Sequence, residues 1–297
     1  MVVRASIVGK LISFVYSWDN PQYSTLNKFS LAYLVINKQN KKELIDFYNI
    51  SEEKFFITGS LIHDYLMENG LPTDTIDQEI SESKELKILY AAVFGNIDEI
   101  MIKEEVNFIL NLLKHLENNG VNNKLIFRPY PSIANPDLYK PIENHPNIYI
   151  YKHDNFKTIP RLGNESETIS FSKSEEKINQ FFDVDVLLSA GSTYTLEFAY
   201  SNKPIVHMNA NEFIKSKENL PFFERLSIYG HLNHFSNGEF KDNIVGNFTE
   251  LVRAIKKIKA STNQYNNYLI KFSNPYYEEK SLARERMVNF LDQYPKN

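Results

Sequence analysis

The sequence predicts an α/β fold in which a parallel sheet carries helices on both faces. Two observations point there. Short apolar runs of strand length alternate with helical patterns over residues 87–260, and such alternation builds parallel sheet through crossover helices. With 42% hydrophobic and 24% charged residues, the chain can also bury a sizeable core.

The elements follow in order. LISFVYS (11–17) reads as a buried strand, AYLVIN (32–37) as a second, KKELIDFYN (41–49) as a short helix and FFITG (55–59) as a third strand. Residues 66–86 are polar, acidic and interrupted by Gly70 and Pro72, the composition of a linker. The pattern then restarts with the strand KILYAAV (87–93). Asn96 and Glu99 have capping-box spacing. Ile102, Val106, Ile109, Leu113 and Leu116 continue at helical spacing until Asn118, Asn119 and Gly120 stop the helix. Strands follow at 124–131 and 147–152, a helix at 174–182, a strand at 184–190, a helix at 191–202 and a strand at 204–209. Residues 247–259 and 279–293 read as closing helices.

Composition removes several classes of function. A net charge of −4 and a pI near 6.0 argue against a dedicated nucleic-acid binder. There is no Cys, hence no disulfide framework and no thiolate chemistry, which fits a cytoplasmic location. Arg4 and Lys10 interrupt the apolar N-terminal stretch, a poor match to a signal peptide. Neither a Gly-x-Gly-x-x-Gly nor a P-loop is present. His231 and His234 have no carboxylate set nearby in sequence that would complete a metal site.

Chemistry is expected where open α/β sheets bind ligands, outside the carboxyl ends of the strands. The strand through Ser189 is followed by Gly191, which permits close backbone approach, and by Ser192 or Thr193 as helix cap. The helix start offers free N–H groups to an anion. Glu197 lies within the first two turns, and helical side chains lean toward the N-terminus. A carboxylate repels phosphate, so its natural partner is a neutral diol such as a ribose. The same spacing equally suits an ordinary strand-to-helix turn with Glu197 on a solvated face.

These residues carry a resemblance. Asp185 to Pro204, with Leu196-Glu197 and Asn202-Lys203-Pro204-Ile205, resembles the donor-site segment of GT-B glycosyltransferases. It is similar too to CDP-glycerol glycerophosphotransferases and UDP-GlcNAc 2-epimerases. Phe127-Arg128-Pro129-Tyr130-Pro131 stands where the glycerophosphotransferases carry Arg-x-His-Pro, with Tyr130 in place of the His. Thr58-Gly59 with His63-Asp64 resembles the segment ending their N-terminal domain, without its Pro. Ser17-Trp18-Asp19-Asn20 resembles an element of surface-polysaccharide transferases at a strand end facing the interdomain cleft.

The resemblance implies two Rossmann-like domains of GT-B type, a truncated N-terminal one with linker (1–82) and a complete C-terminal one (83–297). Residues 1–10 are then expected as the tail of a helix, and the open sheet edge as a place for a second copy or a partner subunit. The implied donor site is Arg128, Ser189, Gly191, Ser192, Thr193 and Glu197. Asp19 and His63 are the candidates for the acceptor-side base, although Asp-Asn-Pro is also good turn chemistry. No cofactor or metal is implied. The implied activity is transfer of a sugar from a nucleotide-sugar donor to a glycan or glycolipid acceptor in surface-polysaccharide synthesis. The alternatives are a CDP-glycerol-using enzyme and a non-catalytic nucleotide-binding subunit. Lys256, Lys257 and Lys259 suit either a solvated helix face or contact with an anionic membrane at the inner face of the cell.

Overall fold

The computed structural model describes residues 2–7, 10–15, 30–61, 64–65, 68, 80, 82–92, 99–129, 136–151, 179–181, 183–190, 193–199, 201, 203–213, 244–260 and 282–293. Two sheets organise them. The first has four strands in spatial order β1-β2-β3-β4, namely Val2–Ile7, Lys10–Val15, Ala32–Val35 and Phe55–Ile57. β2, β3 and β4 run parallel, whereas β1 pairs antiparallel with β2, from Val2 opposite Val15 to Ile7 opposite Lys10. Residues 2–7 and 10, expected within the tail of a helix, therefore form strand instead. A short connection can return the chain only as an antiparallel neighbour, and that pairing satisfies the backbone along the outer side of β2.

Between β3 and β4 lies α1, Lys38–Tyr48. It starts three residues earlier than its apolar pattern suggests because Asn37 caps it, its side chain accepting from the Asn40 N–H at 2.8 Å. Asn49 ends it in the left-handed region (φ 50) and donates its N–H to Ile45 O.

The second sheet has five strands in order β7-β6-β5-β8-β9, all parallel. They are β5 Leu86–Ala91, β6 Asn123–Arg128, β7 Ile148–Ile150, β8 Val186–Ser189 and β9 Ile205–His207. The central strands are covered on both faces, which is why β8 is buried throughout and reads as an unbroken apolar run. α2, Glu99–Asn118, crosses from β5 to β6 with Ile102, Val106, Ile109, Leu113 and Leu116 in the core. Gly120 ends it with φ 67, and the Val121 N–H returns to Leu116 O at 3.0 Å. Within that core the Tyr90 hydroxyl donates to the buried Glu105 Oε1 at 2.8 Å. Four short or closing helices complete this part: α3 Lys140–Glu143, α4 Thr193–Ala199, α5 Ala210–Phe213 and α6 Phe248–Ala260. No described helix is long and apolar enough to cross a membrane.

The last helix, α7, Ala283–Gln293, packs on the first sheet, not on the second where its position in the sequence had assigned it. Its Phe290 joins Ile12, Ala32 and Leu34 in one cluster and meets Phe56 at 4.5 Å between ring centroids. Asp64 caps it from outside the helix, accepting from the Ala283 N–H (2.6 Å) and the Arg284 N–H (2.9 Å). Arg286 Nε donates to Thr58 O at 3.1 Å. In this chain the Thr58-Gly59 and Asp64 segment is thus the seat of α7. Gly59 has φ 81, and a Cβ there would meet the Arg286 guanidinium and lie 3.1 Å from Ala283 Cβ.

Candidate functional site

Strand order places the site. β6 and β7 lie on one side of β5, β8 and β9 on the other, so the strand order reverses between β5 and β8. A crevice opens outside the carboxyl ends of strands at such a reversal. Arg128, Tyr151, Ser189 and the start of α4 all belong to that end of the sheet.

Arg128 ends β6, and its guanidinium is held from three directions. Nη1 donates to Gln180 Oε1 at 2.6 Å. Cζ lies 5.1 Å from the centre of the Tyr151 ring and 5.3 Å from that of Tyr194, within cation–π range of both. The Tyr194 hydroxyl also points to Gln180 Oε1, at 3.4 Å. The cation is therefore fixed in place by side chains from three other segments. Phe181 packs edge-on to Tyr194 (4.9 Å) and Phe198 (5.3 Å), which anchors the Gln180 segment against α4.

Glu197 is on α4 and is 9% exposed, so it does not occupy a solvated face. Its charge reaches Tyr194, whose phenol is pushed well up, first by burial and further by Glu197, with Arg128 acting in the opposite direction. Arg128 and Glu197 thus both act on one tyrosine. Ser189 is buried, and its hydroxyl is hydrogen-bonded to that of Thr195, which ties the end of β8 to α4. Thr193 opens α4. Gly191, Ser192, Asp19, Trp18, His63 and Tyr130 lie outside the described residues.

Two further residues near these elements have structural duties. Lys203 is buried and donates from Nζ to Val184 O at 2.7 Å, bracing the start of β8. His207 ends β9 buried inside the molecule, and burial pushes its imidazole pKa down to about 3, so it is neutral at pH 7. Gln180, Tyr151 and Tyr194 carry no mark in the sequence. Tyr151 and Tyr194 do stand immediately after a strand and in the first turn of a helix, positions that a strand-end search would reach.

No family model matches the chain, and no curated protein matches it. Solved structures do. A single-residue variant of the wall teichoic acid polymerase TagF superposes with a TM-score of 0.52 at 13% identity, covering 88% of this chain and 57% of that one. The same variant soaked with CDPG gives 0.52 at 14% identity, covering 88% and 55%. The fold is GT-B. MnaA of S. aureus, in a co-structure with UDP, superposes at 0.48 with 16% identity, covering 90% and 60%. The chain thus spans 55–60% of the length of these three structures. The second sheet carries Arg128 and leads into the helix of Glu197, while α7 packs on the first sheet.

Proposed function

We propose that the protein is a glycosyltransferase that takes a nucleotide-sugar donor and passes the sugar to a surface-polysaccharide acceptor. The observation that carries this reading is the fixed Arg128 guanidinium at the carboxyl end of the second sheet of a GT-B fold, with Glu197 buried on the helix that also supplies Tyr194. A planar cation held in advance suits a diphosphate, which it can meet without reorganising. Glu197 suits the neutral hydroxyls of the donor. Transfer breaks the bond between the anomeric carbon and the diphosphate oxygen and forms one to the acceptor oxygen. The acceptor proton passes to a base, for which Asp19 and His63 remain the proposed groups. Gly191, Ser192 and Thr193 are proposed to face the diphosphate, and the division of the chain at residues 82 and 83 belongs to the same reading.

A second reading is favoured by the likeness to TagF soaked with CDPG: a CDP-glycerol-using enzyme that transfers glycerol phosphate. Titration calorimetry with UDP, CDP and GDP forms separates the two. Binding of a nucleotide sugar, lost in Glu197→Ala and in Arg128→Ala, supports the first. Selective binding of CDP-glycerol supports the second. Failure of the intact protein to bind any of them sinks both.

A further inference from the structure

Far along the chain from Arg128, α6 shows a different kind of surface. Its inward face, Leu251, Val252, Ala254, Ile255 and Ile258, is buried in the core of the second sheet. Its outward face carries Arg253, Lys256 and Lys257, all exposed, at spacings of three and four residues that align them on one side. Residues 247–259 hold four cations (Arg253, Lys256, Lys257, Lys259) against one acid (Glu250), a surplus of three in a chain whose net charge is −4. Glu250 is held at the start of the helix, its Oε2 accepting the Gly246 N–H at 2.8 Å, and among the cations only Arg253 adds to the lowering of its carboxyl. Among the described residues, none of Arg253, Lys256 and Lys257 stands in an ion pair.

These cations rim a groove of about 350 Å³ between α6 and the end of α2, floored by Val252 and Ala260 and flanked by Thr249. Unpaired cations around an apolar floor complement an amphiphile, a phosphate with hydrocarbon attached to it. A free anion would have no use for the floor, and an apolar peptide none for the rim. We propose that this face of α6 docks the protein on an anionic membrane, with lipid phosphates against Arg253, Lys256 and Lys257 and the glycerol and first methylenes over Val252 and Ala260. Attraction of this kind falls off within a Debye length, about 8 Å at physiological salt, so the three side chains must reach the headgroups directly. The inference does not depend on the donor reading, because its readout needs no nucleotide.

The test is sedimentation of the whole protein with vesicles of phosphatidylcholine alone and of phosphatidylcholine mixed with phosphatidylglycerol. The wild type is expected to bind the mixed vesicles and not the neutral ones. The triple variant Arg253→Gln, Lys256→Gln, Lys257→Gln should lose about a hundredfold in affinity, at roughly fivefold per basic side chain. Lys103→Gln, an exposed cation on α2, should lose nothing. Should the triple variant not fold, Lys256→Gln and Lys257→Gln singly are expected to lose about fivefold each. Equal binding to both vesicle types overturns the proposal, as does undiminished binding by the variants. So does release by inorganic phosphate where chloride of equal ionic strength leaves the protein bound, since that identifies a site for free phosphate.

Discussion

His207 shows how one buried residue couples this fold to pH. Its side chain is 2% exposed and burial holds its pKa near 3, against 6.5 in the unfolded chain. Between those values the unfolded state binds the proton and the folded state does not. The stability that depends on a neutral His207 is therefore complete above pH 6.5 and is lost as pH falls toward 3. The slope from one such group approaches about 1.4 kcal/mol per pH unit. Urea unfolding at a series of pH values should show this acid limb, and His207→Leu should flatten it. An unchanged slope in the variant would place the acid sensitivity elsewhere. Gly59 is a second residue with a single physical reason. Its φ of 81 strains any L side chain, and an added Cβ would push the Arg286 guanidinium aside and press on Ala283. Gly59→Ala is expected to cost more than about 1 kcal/mol, read as a lower urea midpoint with an unchanged m-value.

At the scale of elements, α7 depends on a cap supplied from more than two hundred residues away. Asp64 satisfies two first-turn N–H groups that the helix cannot satisfy itself. Asp64→Ala should cost about 1–2 kcal/mol, the range for loss of an N-cap, and should appear as faster amide exchange in α7, while exchange in α2 stays as it was. Such long-range pairings mark the limit of what the sequence reveals. β5, β6 and β8 were legible because strands covered on both faces read as apolar runs, and α2 because its core face repeats at helical spacing. β1 was not, because its alternation of apolar and polar residues in VVRASI says nothing of which strand it pairs with. At the site, Arg128 was visible as a basic residue ending a strand. Its partners Gln180, Tyr151 and Tyr194 were not, since only the tertiary fold brings three distant segments onto one guanidinium. The hydrogen bond between Ser189 and Thr195 was not legible either, because spacing alone does not show which neighbour a hydroxyl meets.

At the scale of the whole molecule, the described residues form separate cores. The large one unites the second sheet with α2 and α6, and it includes no residue of β1 to β4 or of α7. The smaller ones belong to the first sheet, one of them closed by Phe290 from α7. Cores that share no residues unfold as separate cooperative units when little else couples them. Calorimetry is thus expected to show two transitions. Removing residues 282–297 would uncover Ile12, Ala32 and Leu34, three buried apolar side chains of the first sheet. Full burial of such a side chain contributes about 1.5–3 kcal/mol for the larger two, a large part of what a small sheet has to spare. The truncated chain should therefore lose the transition of the first sheet and keep that of the second. Amide protection should vanish in β2 to β4 and persist in β5, β6 and β8. Nucleotide binding, if Arg128 and Glu197 carry it, should survive the truncation with weakened affinity, because the donor residues all lie on the unit that stays folded. A single transition that moves as a whole on truncation would show instead that the two sheets fold as one body.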